Sequence, residues 1–153
     1  MGVSTSKQDT VKVIVFHPER CNGCLACERA CSKVHFQSGD GGERSAIRVS
    51  GKKGAFKATV CNQCGLCIDM CSVGALSRNK KDIVALDVKQ CVGCQTCVAF
   101  CPTSVMRKAP ARMEPFKCIS CGSCVRACPE HALELVEKDV DDLKAVVYHK
   151  LGV

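Results

Sequence analysis

Sixteen cysteines fall into four copies of one spacing, C-x2-C-x2-C-x3-C, with none left over. They are Cys21, Cys24, Cys27 and Cys31, then Cys61, Cys64, Cys67 and Cys71. The third set is Cys91, Cys94, Cys97 and Cys101, and the fourth is Cys118, Cys121, Cys124 and Cys128. Three thiolates two residues apart on a tight loop can wrap three corners of one cubane iron–sulfur cluster. The fourth, three residues further on, is expected to begin a short helix and point away, completing a neighbouring cluster. Structural zinc is the competing chemistry. It takes two C-x2-C pairs separated by a longer loop, which leaves the third cysteine of each motif without a role. The spacing therefore implies four [4Fe–4S] clusters and one-electron chemistry.

Within these loops lie Gly23, Gly65, Gly93 and Gly122. A glycine there can adopt positive φ and bring backbone N–H groups to sulfur, which stabilises a negative cluster and tunes its potential. No second chemistry competes. There is no G-x-G-x-x-G and no P-loop, and His17, His35, His131 and His149 stand in unrelated contexts. The expectation is an electron-transfer component without a catalytic site of its own.

Composition agrees. Cysteine is about a tenth of the 153 residues, while there are five Phe, one Tyr and no Trp. The 46% hydrophobic content counts the cysteines, so a core of large apolar side chains is thin, and metal must staple the fold. The opening MGVSTSKQDT is polar and Val11–Phe16 is too short for a secretory core, so a cytoplasmic address without disulfides is expected. Met1-Gly2 with Ser6 fits a myristoylation pattern, but nothing else points to a membrane. The formal charge of +7 is offset by four sites of about −2 each, leaving the loaded chain near −1. That removes the case for a nucleic-acid binder.

The elements that must hold the loops are short. Strands are expected at Val11–Phe16, at Ala46–Val49 and Ala55–Val60 around the Gly51–Gly54 turn, and at His131–Val136. Ala75-Leu76 and Ile83–Val88 form a hairpin joining the second and third motifs, and Ser38–Gly42 is a surface loop. Residues 1–136 thus form the four-cluster domain. Residues 137–153 form a C-terminal amphipathic helix, with Val140, Leu143, Val147 and Leu151 on one face. That face either packs back on the domain or docks a partner subunit.

The stretches VFHPERCNGCLACERACSKVH, ATVCNQCGLCIDMCSVGAL, DVKQCVGCQTCVAFCP and KCISCGSCVRACPEHALEL carry a resemblance. The chain resembles polyferredoxin-type electron-transfer subunits of anaerobic oxidoreductases. These include the iron–sulfur subunits of the dimethyl-sulfoxide-reductase group and the small subunits of tungsten aldehyde oxidoreductases. The resemblance implies an α+β fold of two fused bacterial-type dicluster ferredoxin modules, with short helices, small β-hairpins and a C-terminal helix. It implies a large catalytic molybdenum- or tungsten-cofactor subunit as one partner and a second redox partner at the other end. A free-standing polyferredoxin shuttling among several enzymes is the alternative, and end-to-end self-association is a further possibility.

The resemblance also implies nested wiring. Cys21, Cys24 and Cys27 then share a cluster with Cys128, and Cys118, Cys121 and Cys124 share one with Cys31. The inner sets are Cys61, Cys64 and Cys67 with Cys101, and Cys91, Cys94 and Cys97 with Cys71. The nineteen residues between Cys71 and Cys91 suit one hairpin, which independently favours the inner pair. A sequential pairing, first motif with second and third with fourth, uses the same sixteen ligands. Two departures from the family's pattern stand out: Ser32 and Ser72 follow their cysteines where Pro102 and Pro129 follow theirs. Each serine keeps an N–H that is free to approach sulfur. The basic residues Arg107, Lys108, Arg112 and Lys117 either compensate cluster charge or dock an acidic partner.

Overall fold

The structure is a computed structural model that describes residues 9–150. The Met1-Gly2-Ser6 pattern and Leu151 lie outside them. Strand β1 (Thr10–Phe16) pairs antiparallel with β6 (Leu133–Asp139), in register from Thr10 with Asp139 to Phe16 with Leu133. This ladder brings the first and fourth motifs together. Helix α1 (Ala26–Phe36) consequently packs on α4 (Ser123–Ala127). Inside that outer pair, β4 (Leu76–Arg78) and β5 (Val84–Leu86) form a hairpin, and α2 (Leu66–Met70) packs on α3 (Thr96–Ala99). A third hairpin joins β2 (Arg48–Ser50) to β3 (Lys57–Thr59). These are few helices and small antiparallel sheets, as a dicluster ferredoxin-like fold requires.

The alternation in β1 divides its side chains between two cores. Val11 and Val13 are buried against Ile83, Val140 and Leu143, whereas Ile14 is buried among cysteines. In that second core, Cys27, Cys31, Cys61, Cys118 and Cys124 sit with Ile47, Val105, Phe116 and Leu133. Cysteine takes positions that large apolar residues fill in an ordinary domain. Removing what the cysteines hold therefore removes the centre of the fold.

Helix α5 (Val140–Lys150) begins where β6 ends, and the strand runs beyond Val136 to Asp139. The Asp139 carboxylate accepts the N–H groups of Asp141 (2.9 Å) and Asp142 (3.2 Å), which caps the helix. Val140 and Leu143 face β1, and Val147 is buried against Cys64 and Leu66. The apolar face thus packs back on the domain. Among the described residues no helix is long and apolar enough to cross a membrane.

Candidate metal centre

Each cysteine loop turns on two left-handed residues. The first lies two positions after the opening cysteine: Gly23 (φ 76°), Gln63 (61°), Gly93 (70°) and Ser120 (54°). The second directly follows the second cysteine: Leu25 (59°), Gly65 (81°), Gln95 (63°) and Gly122 (77°). Every loop spends one glycine on one of these positions and strains another residue type at the other. The glycines are legible in sequence. Leu25, Gln63, Gln95 and Ser120 are not, because nothing in their chemistry announces positive φ; only alignment of the four motifs with one another would reveal the shared position.

This geometry aims N–H groups at sulfur. The amides of Gly23, Gln63 and Ser120 donate to Sγ of Cys21, Cys61 and Cys118 at 3.4, 3.3 and 3.4 Å. The fourth cysteines receive equivalent bonds from Ala75 to Cys71 (3.3 Å), Val105 to Cys101 (3.4 Å) and Ala132 to Cys128 (3.3 Å). In the first motif the chain detours through residues 32–45, and Ala46 returns to donate to Cys31 at 3.3 Å.

Two details differ from the sequence expectation. The fourth cysteine does not begin a helix: α2 and α4 end at Cys71 and Cys128, and α1 carries Cys31 in its interior. A helix that continues past Cys31 also explains Ser32. Proline there would break α1, whereas the buried Ser32 hydroxyl donates to Arg29 O (2.9 Å) and accepts Gly41 N–H (3.0 Å), fastening the loop at 38–41. The N–H groups that reach the fourth sulfurs come from Ala46, Ala75, Val105 and Ala132.

The sixteen cysteines gather in four groups. Cys61, Cys64, Cys67 and Cys101 line one cavity. Cys31, Cys118, Cys121 and Cys124 line a second, and Cys21, Cys24, Cys27 and Cys128 line a third. Cys91, Cys94 and Cys71 all act electrostatically on Cys97. Each group takes three cysteines from one motif and the last from another. Four cysteines per group, three from one tight loop and one from another motif, fit the four corners of a [4Fe–4S] cluster.

Without metal these thiols resist ionisation. Burial pushes Cys27 up to about 11 and Cys67, Cys118 and Cys124 to about 12, and it raises Cys61 and Cys97 as well. Exposed Cys94 is lowered by the Thr96 hydroxyl. Cys101 is lowered against the pull of burial, by the N–H groups of Met106, Val105 and Thr103.

The groups form a row. Numbered along the row, the first group is that of Cys21, the second that of Cys118, the third that of Cys61 and the fourth that of Cys91. Cys124 of the second lies within electrostatic reach of Cys27 of the first, Cys118 of Cys61 in the third, and Cys67 of Cys97 in the fourth. Exposed Cys24 and Cys94 belong to the two terminal groups. Between the middle groups lies Lys117, only 4% exposed. Its ammonium donates to Gln63 Oε1 (3.0 Å), Val84 O (2.6 Å) and Cys118 O (2.8 Å). The basic residues near the fourth motif therefore separate: Lys117 is internal, Arg107 donates to Thr59 Oγ1 (2.9 Å), and Arg112 covers the Phe36 ring at 4.2 Å.

The family model described as a 4Fe-4S dicluster domain matches residues 46–105 and 117–151, together more than half of the chain. The chain belongs to the 4Fe-4S dicluster family. A second dicluster model covers residues 83–129, and a 4Fe-4S binding domain covers residues 18–34. This dicluster chain is 32% identical over 111 residues to the ferredoxin-like protein YdhX of Escherichia coli O157:H7, covering 67% of the chain and 50% of the relative. It is 35% identical over 103 residues to the electron transport protein HydN of Escherichia coli strain K12 (62% and 58% covered). Against the thiosulfate reductase electron transfer subunit PhsB of Salmonella typhi it is 34% identical over 107 residues (63% and 55%). The chain spans about half the length of the curated relatives it matches.

Proposed function

We propose that this chain holds four [4Fe–4S] clusters and relays single electrons between a larger catalytic oxidoreductase subunit and a second redox partner in the cytoplasm. The carrying observation is the set of four cysteine groups, each built from two motifs. In this reading the ligands are Cys21, Cys24, Cys27 with Cys128; Cys118, Cys121, Cys124 with Cys31; Cys61, Cys64, Cys67 with Cys101; and Cys91, Cys94, Cys97 with Cys71, which the proximity of these side chains supports. Residues 1–136 are then two nested modules, motifs 1 and 4 outside and 2 and 3 inside, followed by the tail 137–153, whose Val147 packs against Cys64 and Leu66 of the inner one. Bound clusters supply reversible one-electron chemistry. The chain's own part is to hold sixteen thiolates and offer N–H groups to their sulfurs.

Two ends imply two contacts. Around the third cysteine loop, Val88, Val92, Phe100 and Met113 are each more than half exposed, which suits a lasting apolar contact with a catalytic subunit. In this reading that subunit is a molybdenum or tungsten enzyme, as the resemblance implies, and the electron-transfer names of HydN and PhsB support the relay role. Anaerobic purification of the native protein is the test. A large molybdenum- or tungsten-containing subunit should co-purify. A chain that elutes alone overturns the subunit reading in favour of a free polyferredoxin, and one that elutes as a ladder of self-assemblies overturns it in favour of end-to-end stacking.

A further inference from the structure

The row has a third opening. Cys121 belongs to the second cysteine group, an interior position, yet it is exposed. It is one of the residues lining an open groove of about 1110 Å³. Lys12 on β1, Lys80 and Lys81 on the turn between β4 and β5, and Arg126 on α4 line this groove. Glu137, cross-strand from Lys12, is the one carboxylate among the lining residues. None of the four cations makes an ion pair among the described residues. Arg126 is fixed in place, its guanidinium donating to Cys121 O (3.2 Å) and Ser123 Oγ (3.2 Å).

Lys117 is the internal cation, bonded to three oxygens between the second and third groups. Lys80 and Lys81 instead stand exposed on a turn tip, where a cation acts on approaching molecules more than on a buried site. The surface also contrasts with the row's fourth-group end, which is apolar around Val92 and Phe100. An apolar contact suits a permanent subunit. A cationic groove suits a partner that arrives and leaves.

We propose that this groove is a lateral port at which a small acidic one-electron carrier protein, of flavodoxin or acidic ferredoxin type, docks transiently over Cys121. The inference rests on the cluster assignment above and adds a branch to the row. One electron leaves the reduced carrier, which is oxidised by one equivalent, and the chain is reduced by one equivalent; no bond forms or breaks.

Binding of an acidic flavodoxin to the iron-loaded chain, followed by calorimetry at low and high salt, tests the port. Wild type should bind at low salt and lose affinity as salt rises. The double variant Lys80→Glu, Lys81→Glu should bind about tenfold more weakly, with a flattened salt dependence. Lys52→Glu with Lys53→Glu makes the same charge change on the turn between β2 and β3 and should leave binding unchanged. No binding by wild type, equal binding by the first variant, or equal weakening by the second overturns the port. Iron and sulfide content of the same samples reports separately on the clusters, so loss of the port and loss of the cluster assignment are distinguishable.

Discussion

The Lys117 ammonium lies 3.0 Å from the side-chain oxygen of Gln63, and that pairing fastens the two middle cysteine groups to each other. Gln63 also accepts Val84 N–H (3.0 Å) and donates to Cys118 O (2.9 Å) and Ser120 Oγ (3.2 Å), so its amide is fully used while wholly buried. A buried cation with its hydrogen bonds satisfied favours whichever neighbour is more negative. For an iron–sulfur site that is the reduced state.

Replacing the charge should therefore lower two potentials. A unit charge about 8 Å from a cluster acts with about 2 kcal/mol at an effective dielectric near 20, or roughly 90 mV for a one-electron couple. Lys117→Met is expected to shift the two central clusters to more negative potential and leave the terminal two in place, in a titration followed by electron paramagnetic resonance. Four unchanged midpoints in a fully loaded variant contradict this.

The nested wiring has a clean test in Cys71→Ala with Cys97→Ala. Nested, both residues serve one cluster and the variant loses about four irons. Sequential pairing places them on two clusters, and the loss becomes about eight. Iron analysis of the anaerobically purified variant separates the outcomes.

Backbone geometry predicts unequal glycines. A Cβ on Gly23 (φ 76°) meets the Phe56 ring at 2.5 Å, whereas Gly54 (φ 85°) has nothing within 4 Å. Both alanine variants suffer positive φ, but only Gly23→Ala must also displace a ring. It should cost roughly 2 kcal/mol more than Gly54→Ala, in anaerobic thermal denaturation.

Acid should release the clusters. Thiols whose ionisation burial pushes to about 11 and 12 are protonated near neutrality in the metal-free chain. Ligation therefore expels a proton from each, and lower pH favours the protonated, cluster-free state. Cluster loss, followed by bleaching of the charge-transfer absorbance, should accelerate as pH falls from 8 toward 5. A flat profile contradicts protonation as the competitor.

Much of the site is legible because cysteine spacing is itself a geometric statement: C-x2-C-x2-C fixes a loop, and the leftover cysteine must go elsewhere. The hairpin joining the inner motifs follows from the same pattern, whereas the strands before the first motif and after the fourth are legible only as strands, and their pairing is seen in the structure. What stays hidden depends on tertiary context. Lys117 reads as one more surface cation beside Arg112, and only the meeting of Gln63, Val84 and Cys118 around it makes it internal. Ser32 reads as a missing proline near sulfur, while its role is set by a helix that runs on to Phe36 and a loop that folds back to Gly41. Leu25 and Gln95 take positive φ because the cysteines on either side demand it, against their own preference.

The most direct measurement of the central claim is iron and acid-labile sulfide per chain, with the spectroscopic type of each centre, on anaerobically isolated protein. Four [4Fe–4S] clusters predict about 16 irons and about 16 sulfides. Iron well below that in a folded protein, or zinc without sulfide, contradicts the account.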